Sequence, residues 1–289
     1  MVKHLFRVKF TNPKSGKQQK AYEKTESFKV SDEAISRYLD VHVLEVPFQS
    51  INYKTDEKFI SVWGRDNMTE WGNALFIKPR LSRKPFGKML RKLGYQKDIE
   101  PNIPLSEGGC YVFGDEFILI SDIFEKSKGK FEKILHNSGL EKPAYFVPDL
   151  THTEGGHIDC DYQIIDSLKL IYGSGNVFCN GNYEMFTKAR KTLEEIAKRH
   201  NYDMRKYESS EDKKIQADIK NWEKFCSELG QKHNGINSIV HDGKLFTGSI
   251  HPEEKEYLQE RGMDVITVPL GKMNVGSGLR CVYGEFNLD

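Results

Sequence analysis

Val265-Ile266-Thr267-Val268-Pro269 is a short apolar run stopped by proline, and runs of the same kind occur twice more in the chain. They are Val41-His42-Val43-Leu44-Glu45-Val46-Pro47 and Ala144-Tyr145-Phe146-Val147-Pro148. Such a run reads as a buried strand, and proline ends it because it cannot donate to a ladder. Each run follows a helical pattern. Before the first, Ser31 is placed to cap a helix whose apolar face carries Ala34, Ile35, Tyr38 and Leu39. Before the second, Phe131, Ile134 and Leu135 form a stripe with Gly139 as the C-terminal stop. Before the third, Pro252 stands where a helix begins, and Gly262 follows Tyr257 and Leu258.

Two weaker copies fill the gaps. Pro85, Met89, Leu90, Leu93 and Gly94 describe a helix leading to a strand from Ile99 through Pro104. Phe186, Ala189, Leu193, Ile196 and Ala197 describe another, leading to Tyr202 through Tyr207. The unit is helix, strand, then a polar motif and a hairpin. Turns are expected at Gly114-Asp115, near Asp166-Ser167 and at Asp242-Gly243. Five such units make an α/β chain that closes into a ring. The segment Cys281 to Phe286 starts a fifth hairpin and then the chain ends, while Leu5 to Phe10 is a strand with no helix before it. Pairing these two segments closes the ring and removes an edge. We read residues 1–289 as one domain with a helical insertion around 209–232, where Ile215, Ile219, Trp222, Cys226 and Leu229 recur at helical spacing.

Composition narrows the function classes. In 289 residues, Lys+Arg 43 against Asp+Glu 42 leaves a net charge of +1, so no global field points to nucleic acid or anionic membrane as a partner. No apolar run approaches the roughly 20 residues of a membrane span, and the N-terminus lacks the apolar centre of a signal peptide. Five cysteines show no CxxC pairing, which argues against a zinc site or a disulfide framework. The odd count and missing export signal suggest reduced thiols and a cytoplasmic location. A homo-oligomer remains compatible with the sequence.

The polar residues fall at the same place in each unit. Unit one has Trp63-Gly64-Arg65-Asp66, unit two Glu107-Gly108-Gly109-Cys110, and unit three Thr153-Glu154-Gly155-Gly156-His157-Ile158-Asp159-Cys160. Unit five has Gly278-Leu279-Arg280-Cys281, and unit four offers only Asn237. Read as an extended segment, His157 and Asp159 share a face while Ile158 and Cys160 point away. Around a common axis, Asp66, Glu107, His157, Asp159 and Cys281 converge. Three carboxylates, an imidazole and a thiol suit a planar cation with several N–H donors, which is a guanidinium. Asp66 and Asp159 would each take an edge of the fork, Cys281 would attack the central carbon as thiolate, His157 would move protons, and Glu107 would orient His157. Arg65, Arg80 and Arg280 are candidates for a substrate carboxylate, although a structural ion pair is the commoner role. Cys110, Cys160, Cys179 and Cys226 read as structural.

This set resembles the guanidino-group modifying enzymes of the pentein fold: arginine, agmatine and peptidylarginine deiminases, dimethylargininase and the amidinotransferases. Gly64-Arg65-Asp66 is similar to their Arg-Asp motif, Glu107-Gly108-Gly109 to their Glu-Gly-Gly, Gly156-His157-Ile158-Asp159 to their Gly-His-x-Asp, and Gly278 to Cys281 to their nucleophile motif. Cys110 stands where an acidic residue is common, and the N-terminal region is short. The resemblance implies a five-bladed pseudo-symmetric α/β propeller. It also implies cysteine-dependent hydrolysis of an unmethylated, arginine-like guanidine through a covalent thiouronium, with no cofactor and no metal. Arg280 before the nucleophile favours a deiminase over an amidinotransferase, which shares the residues but passes the amidino group to an amine. A non-catalytic pentein used as a binding module is the third reading.

Overall fold

The computed structural model describes residues 2–47, 68–72, 74–77, 88, 90–96, 98–100, 108–150, 157–174, 183–207, 237–250, 252–270 and 278–288. Among them lie five three-stranded sheets. The first joins β1 (Val2–Thr11), β2 (Asp40–Pro47) and, from the far end of the chain, β15 (Gly284–Leu288). The second holds β3 (Met68–Trp71), β4 (Ala74–Ile77) and β5 (Asp98–Glu100). The third holds β6 (Tyr111–Phe113), β7 (Ile118–Ser121) and β8 (Ala144–Val147). The fourth holds β9 (Tyr162–Ile165), β10 (Leu170–Ser174) and β11 (Asp203–Tyr207), and the fifth β12 (Ile239–His241), β13 (Lys244–Thr247) and β14 (Asp264–Thr267). Every sheet is wired alike: an antiparallel pair, then a third strand parallel to the middle one. A parallel return needs a crossover, and helices provide it.

In the first sheet the chain leaves β1 through α1 (Gly16–Ser27) and α2 (Lys29–Ile35). In the third the crossover is α3 (Lys128–Asn137), in the fourth α4 (Tyr183–His200) and in the fifth α5 (Pro252–Glu260). In the second, Lys88 and residues 90–92 are helical. Gly94, Gly139 and Gly262 follow three of these helices with φ of +91°, +71° and +88°, the left-handed stop that glycine adopts without strain.

The middle strands explain the core. Successive residues of a strand face opposite sides of its sheet, and here each side meets a neighbouring sheet. In β1, Phe6, Val8 and Phe10 pack toward the second sheet with Leu75, while Leu5 packs toward the fifth with Ile239 and Phe246. In β7, Ile118 and Ile120 join Trp71 and Phe76 of the second sheet, while Leu119 joins Ile164 and Ile171 of the fourth. In β10, Leu170 and Tyr172 join Leu245 of the fifth. The five apolar clusters are therefore the five junctions between successive sheets, and a strand buried on both sides reads as a nearly continuous apolar run.

Closure of the ring matches the pairing of the chain ends. The register sets Phe6 opposite Gly284 and His4 opposite Phe286, antiparallel. The Asp242–Gly243 turn has φ of +47° and +70°, the paired left-handed geometry of a type I′ hairpin. Gly114 opens the β6–β7 turn, where its N–H reaches the Phe117 carbonyl at 2.9 Å. Asp166–Leu168 form a 3-10 turn between β9 and β10.

Three local expectations are corrected. Ser31 does not cap a helix; it lies inside α2, and its hydroxyl donates to the Pro269 carbonyl. The crossover carries an additional helix, α1, with Ser15 as its N-cap accepting from the Gln18 N–H at 3.3 Å. Cys281 does not begin a strand; it sits in α6 (Leu279–Val282), and β15 starts at Gly284. The insertion around 209–232 lies outside the described residues.

Candidate active site

Three short turns bring the chemistry together, each just before the first strand of a hairpin. They are the 3-10 turns Gly108–Cys110 and Ile158–Cys160 and the helical turn α6. The first two pack against each other. The extended reading therefore holds at His157 but is corrected over Ile158–Cys160. A 3-10 turn advances about 120° per residue, so adjacent side chains are not sent to opposite faces. Cys160 thus stands beside Asp159, its Sγ 3.7 Å from Asp159 Oδ1.

Cys281 is buried, at 8% exposure, and is held by Asn237. Asn237 Oδ1 accepts the Cys281 backbone N–H at 3.1 Å, and Asn237 Nδ2 donates to Cys281 Sγ at 3.0 Å. The same Nδ2 lies 3.2 Å from Cys160 Sγ. This grip depends on Gly278: a Cβ there would stand 2.2 Å from the Asn237 carbonyl oxygen and 2.6 Å from its Oδ1. One ligand-type atom each from Asp159, Cys160 and Cys281 falls within a 4.8 Å cluster. Asp159 is fully buried. The Cys160 thiol is pushed well above the ordinary thiol range, first by its hydrogen bond with Cys281, then by burial and the nearby Asp159 and Asp161 charges.

His157 is half-buried and approaches the same group through the second turn. A Cβ at Gly109 would lie 2.7 Å from His157 Nδ1 and 3.1 Å from Asp159 Oδ1. The bare glycine therefore lets the imidazole and the carboxylate converge on one spot. The turn is anchored below: Asp161 Oδ2 accepts the Leu150 N–H at 2.9 Å, and the Tyr162 hydroxyl donates to the Pro148 carbonyl at 2.7 Å. Both bonds tie it to the segment that leaves β8, the proline-stopped run of the sequence. Lys24 of α1 is within electrostatic reach of Cys281. Burial lowers the Lys24 pKa, and the Cys281 charge opposes that shift.

Arg280 faces elsewhere. It is 6% exposed, donates to the Tyr162 carbonyl at 3.3 Å, and lines a cavity of about 610 Å³ with Asp115, Ser167 and Asp242 from the hairpin turns. Asp66, Arg65 and Glu107, with Glu154 and Arg80, lie outside the described residues. The described residues thus bring together Cys281, Asp159 and His157 with Asn237, the residue that unit four offers, and add Cys160. A signal for Cys160 is present in the sequence: Gly108-Gly109-Cys110, Ile158-Asp159-Cys160 and Leu279-Arg280-Cys281 each place cysteine third in a turn, with a tyrosine one or two residues later. Cys110, the third member, is packed in the core between the second and third sheets. No helix among the described residues is long and apolar enough to cross a membrane.

No family model matches the sequence, and no curated protein is similar to it at a significant level. Solved structures do match. An agmatine deiminase from C. jejuni, in a cysteine-to-serine mutant with substrate bound, superposes with a TM-score of 0.62 at 15% identity, over 98% of this chain and 92% of that one. DDAH from Pseudomonas aeruginosa, in a cysteine-to-serine mutant complexed with citrulline, gives 0.59 at 14% identity, over 99% and 100%. The N-terminal domain of ArgZ, covalently bound to a reaction intermediate, gives 0.57 at 12% identity, over 99% and 98%. At these identities the likeness is one of fold: with its five sheets and crossover helices, the chain is a five-bladed α/β propeller of the pentein type.

Proposed function

We propose that the chain is a cysteine-dependent hydrolase of an unmethylated, arginine-like guanidine. The observation that supports this most is the buried convergence of Cys281, Asp159 and Cys160 within 4.8 Å, with His157 beside Asp159. A buried carboxylate next to a positioned sulfur is a site for a cation whose own carbon is electrophilic, and a guanidinium is such a cation.

In this reading the Asp159 carboxylate accepts N–H bonds from one edge of the guanidinium, and Asp66 takes another. Cys281 Sγ attacks the central carbon, forming a C–S bond. His157 gives a proton to the departing nitrogen, the C–N bond breaks and ammonia leaves a thiouronium on Cys281. His157 then takes a proton from water, the oxygen attacks the same carbon, and the C–S bond breaks to release a ureido product and restore the thiol. Glu107 orients His157, and Arg65 meets a substrate carboxylate. The bond from Arg280 to the Tyr162 carbonyl fits it for holding the Cys281 turn in place. Asn237 fixes both the backbone and the sulfur of Cys281, so the nucleophile is oriented before substrate arrives.

The test is incubation with arginine, agmatine and related guanidines, assaying ureido product and ammonia beside Cys281→Ala. Ureido product that depends on Cys281 supports hydrolysis. A new guanidine on an added amine, without ureido product, reassigns the chain to amidinotransfer. No turnover together with no preferred labelling of Cys281 by a haloacetamidine favours a binding module.

A further inference from the structure

We infer that Asp159, Cys160 and Cys281 form a binding site for a thiophilic divalent cation of the Zn²⁺ class, which holds the site closed to substrate when bound. Two cysteines 121 positions apart are no metal motif in the sequence. The ring brings them together, because α6 and the Ile158–Cys160 turn stand side by side around Asn237.

The donor set suits the ion. Zinc takes thiolate sulfur at about 2.3 Å and carboxylate oxygen at about 2.0–2.2 Å, so two sulfurs on one zinc stand at most about 4.6 Å apart. The Asp159 oxygen and the two sulfurs already lie within 4.8 Å of one another. Two soft sulfurs select zinc over magnesium or calcium, which prefer all-oxygen sites. The surroundings are those of a ligated thiolate pair: Asn237 Nδ2 donates toward both sulfurs, at 3.0 and 3.2 Å, an outer hydrogen bond that orients the ligands. The three residues are buried or half-buried on turns fixed from below by Asp161 and Tyr162. With three protein ligands the fourth position is open to water, and His157 is beside Asp159 to meet that water.

The charge balance is explicit. Zn²⁺ enters, the Cys160 and Cys281 thiols each lose a proton to buffer, and the Asp159 carboxylate keeps its charge. Nothing is oxidised or reduced. Metal uptake therefore releases up to two protons and is favoured by rising pH. The bound ion occupies the sulfur and the carboxylate that a substrate would need. The inference stands apart from the guanidine reading, because metal uptake is measured with no substrate present.

The experiment uses the full chain, reduced and stripped with chelator, then titrated with Zn²⁺ against a chromophoric competitor and with Co²⁺ for its spectrum. One ion per chain is expected, with a thiolate-to-cobalt charge-transfer band and slowed alkylation of Cys281 by iodoacetamide. Cys160→Ala should cost more than the roughly 10–100-fold that losing an outer partner costs and reduce the band to that of one thiolate. Cys110→Ala should change neither. The cobalt spectrum of the unaltered chain decides the question even if a variant fails to fold. A cobalt complex with no thiolate band, zinc affinity unmoved in a folded Cys160→Ala, or alkylation of Cys281 unaffected by zinc would overturn the assignment.

Discussion

Asn237 holds Cys281 from two sides at once: its side-chain oxygen takes the Cys281 backbone N–H at 3.1 Å while its nitrogen donates to the Cys281 sulfur at 3.0 Å. The clamp comes from two residues before the fifth sheet, and the nucleophile from the turn that leads into the first. Orientation of a sulfur by a buried amide acts on the reacting geometry more than on substrate affinity. Asn237→Ala should therefore lower kcat by roughly 100-fold, the scale of a 1 Å misplacement, and leave KM within about threefold. Alkylation of Cys281 by a haloacetamidine should slow in parallel. Unchanged kcat in a folded variant would remove Asn237 from the site.

Gly109→Ala tests the meeting of His157 and Asp159. The added methyl would lie 2.7 Å from His157 Nδ1 and 3.1 Å from Asp159 Oδ1, so one of them must move. Gly108–Cys110 is a short turn packed on the neighbouring sheet, and its backbone is not left-handed. We expect a folded protein with turnover reduced at least about tenfold, from the loss of a general acid–base group. Circular dichroism with steady-state assay measures both. Full activity in Gly109→Ala would show that the imidazole is not used.

The preference for an unmethylated guanidine rests on Asp159. A fully buried carboxylate wants a guanidinium edge that keeps its N–H groups, and a methyl there leaves the charge unpaired. Asp159→Ala should cost on the order of 2–5 kcal/mol in transition-state binding, as for one partner of a buried charge pair. The measurement compares kcat/KM for arginine, agmatine and the methylarginines in both proteins. Faster use of a methylarginine by the unaltered protein contradicts it.

Ring closure has its own test in Arg7, Asp32 and Tyr283. Arg7 of β1 forks onto Asp32 of α2, with Nε at 2.7 and 2.8 Å from the two carboxylate oxygens, and donates to the Thr25 carbonyl at 3.0 Å. The Tyr283 hydroxyl, one residue before β15, donates to the same Asp32 at 2.8 Å. Removing one partner strands the other in a buried setting, so Arg7→Ala should destabilise by about 3–5 kcal/mol. Denaturant unfolding reads the change. A loss below about 1 kcal/mol would mean the pair behaves as a surface contact.

Much of this architecture was legible in the sequence, and the failures have local causes. The stops at Gly139 and Gly262, the Asp242–Gly243 hairpin and the pairing of both chain ends follow from residue chemistry that acts within a few positions. The three proline-stopped runs are strands as read, yet β2, β8 and β14 are the outer strands of their sheets and only partly buried, with Val43 37% exposed; the two-sided burial belongs to the middle strands. The helix Gly16–Ser27 did not show, because in GKQQKAYEKTES only Thr25 is fully buried and no apolar stripe marks it. Ser31 fits a cap by residue type, yet the tertiary bond to Pro269 decides its place. At the site, strand alternation would send Cys160 away from Asp159, whereas the 3-10 turn sets the two side by side. Asn237 is the one polar residue that unit four offers at the corresponding place, and only the closed ring shows what it touches.

Alkaline stability gives a prediction from titration. Burial is the first cause of raised pKa values at Tyr111, Tyr162, Tyr202 and Tyr283, and at Tyr283 the Asp32 charge adds to it. These phenols are neutral in the fold and ionise more readily when unfolded, at about pH 10. A raised folded value means the contribution is whole below about pH 10 and is lost as pH climbs from there through the folded value. Unfolding free energy should therefore fall above about pH 10, and more gently in Tyr283→Phe once its lower starting stability is subtracted. Denaturant titrations on either side of that pH measure it. A slope unchanged by Tyr283→Phe would remove this residue from the account.

The central claim is that Cys281 bonds covalently to a guanidine carbon. The direct measurement is acid quench of the reaction with arginine or agmatine in the first turnover, followed by peptide mass analysis of all five cysteines. The account predicts an added mass equal to the substrate less ammonia on the peptide carrying Cys281, and its absence in Cys281→Ser; an amidino group alone on Cys281 would mark amidinotransfer instead. Turnover that persists in Cys281→Ala, or an adduct on Cys160 in place of Cys281, would contradict it.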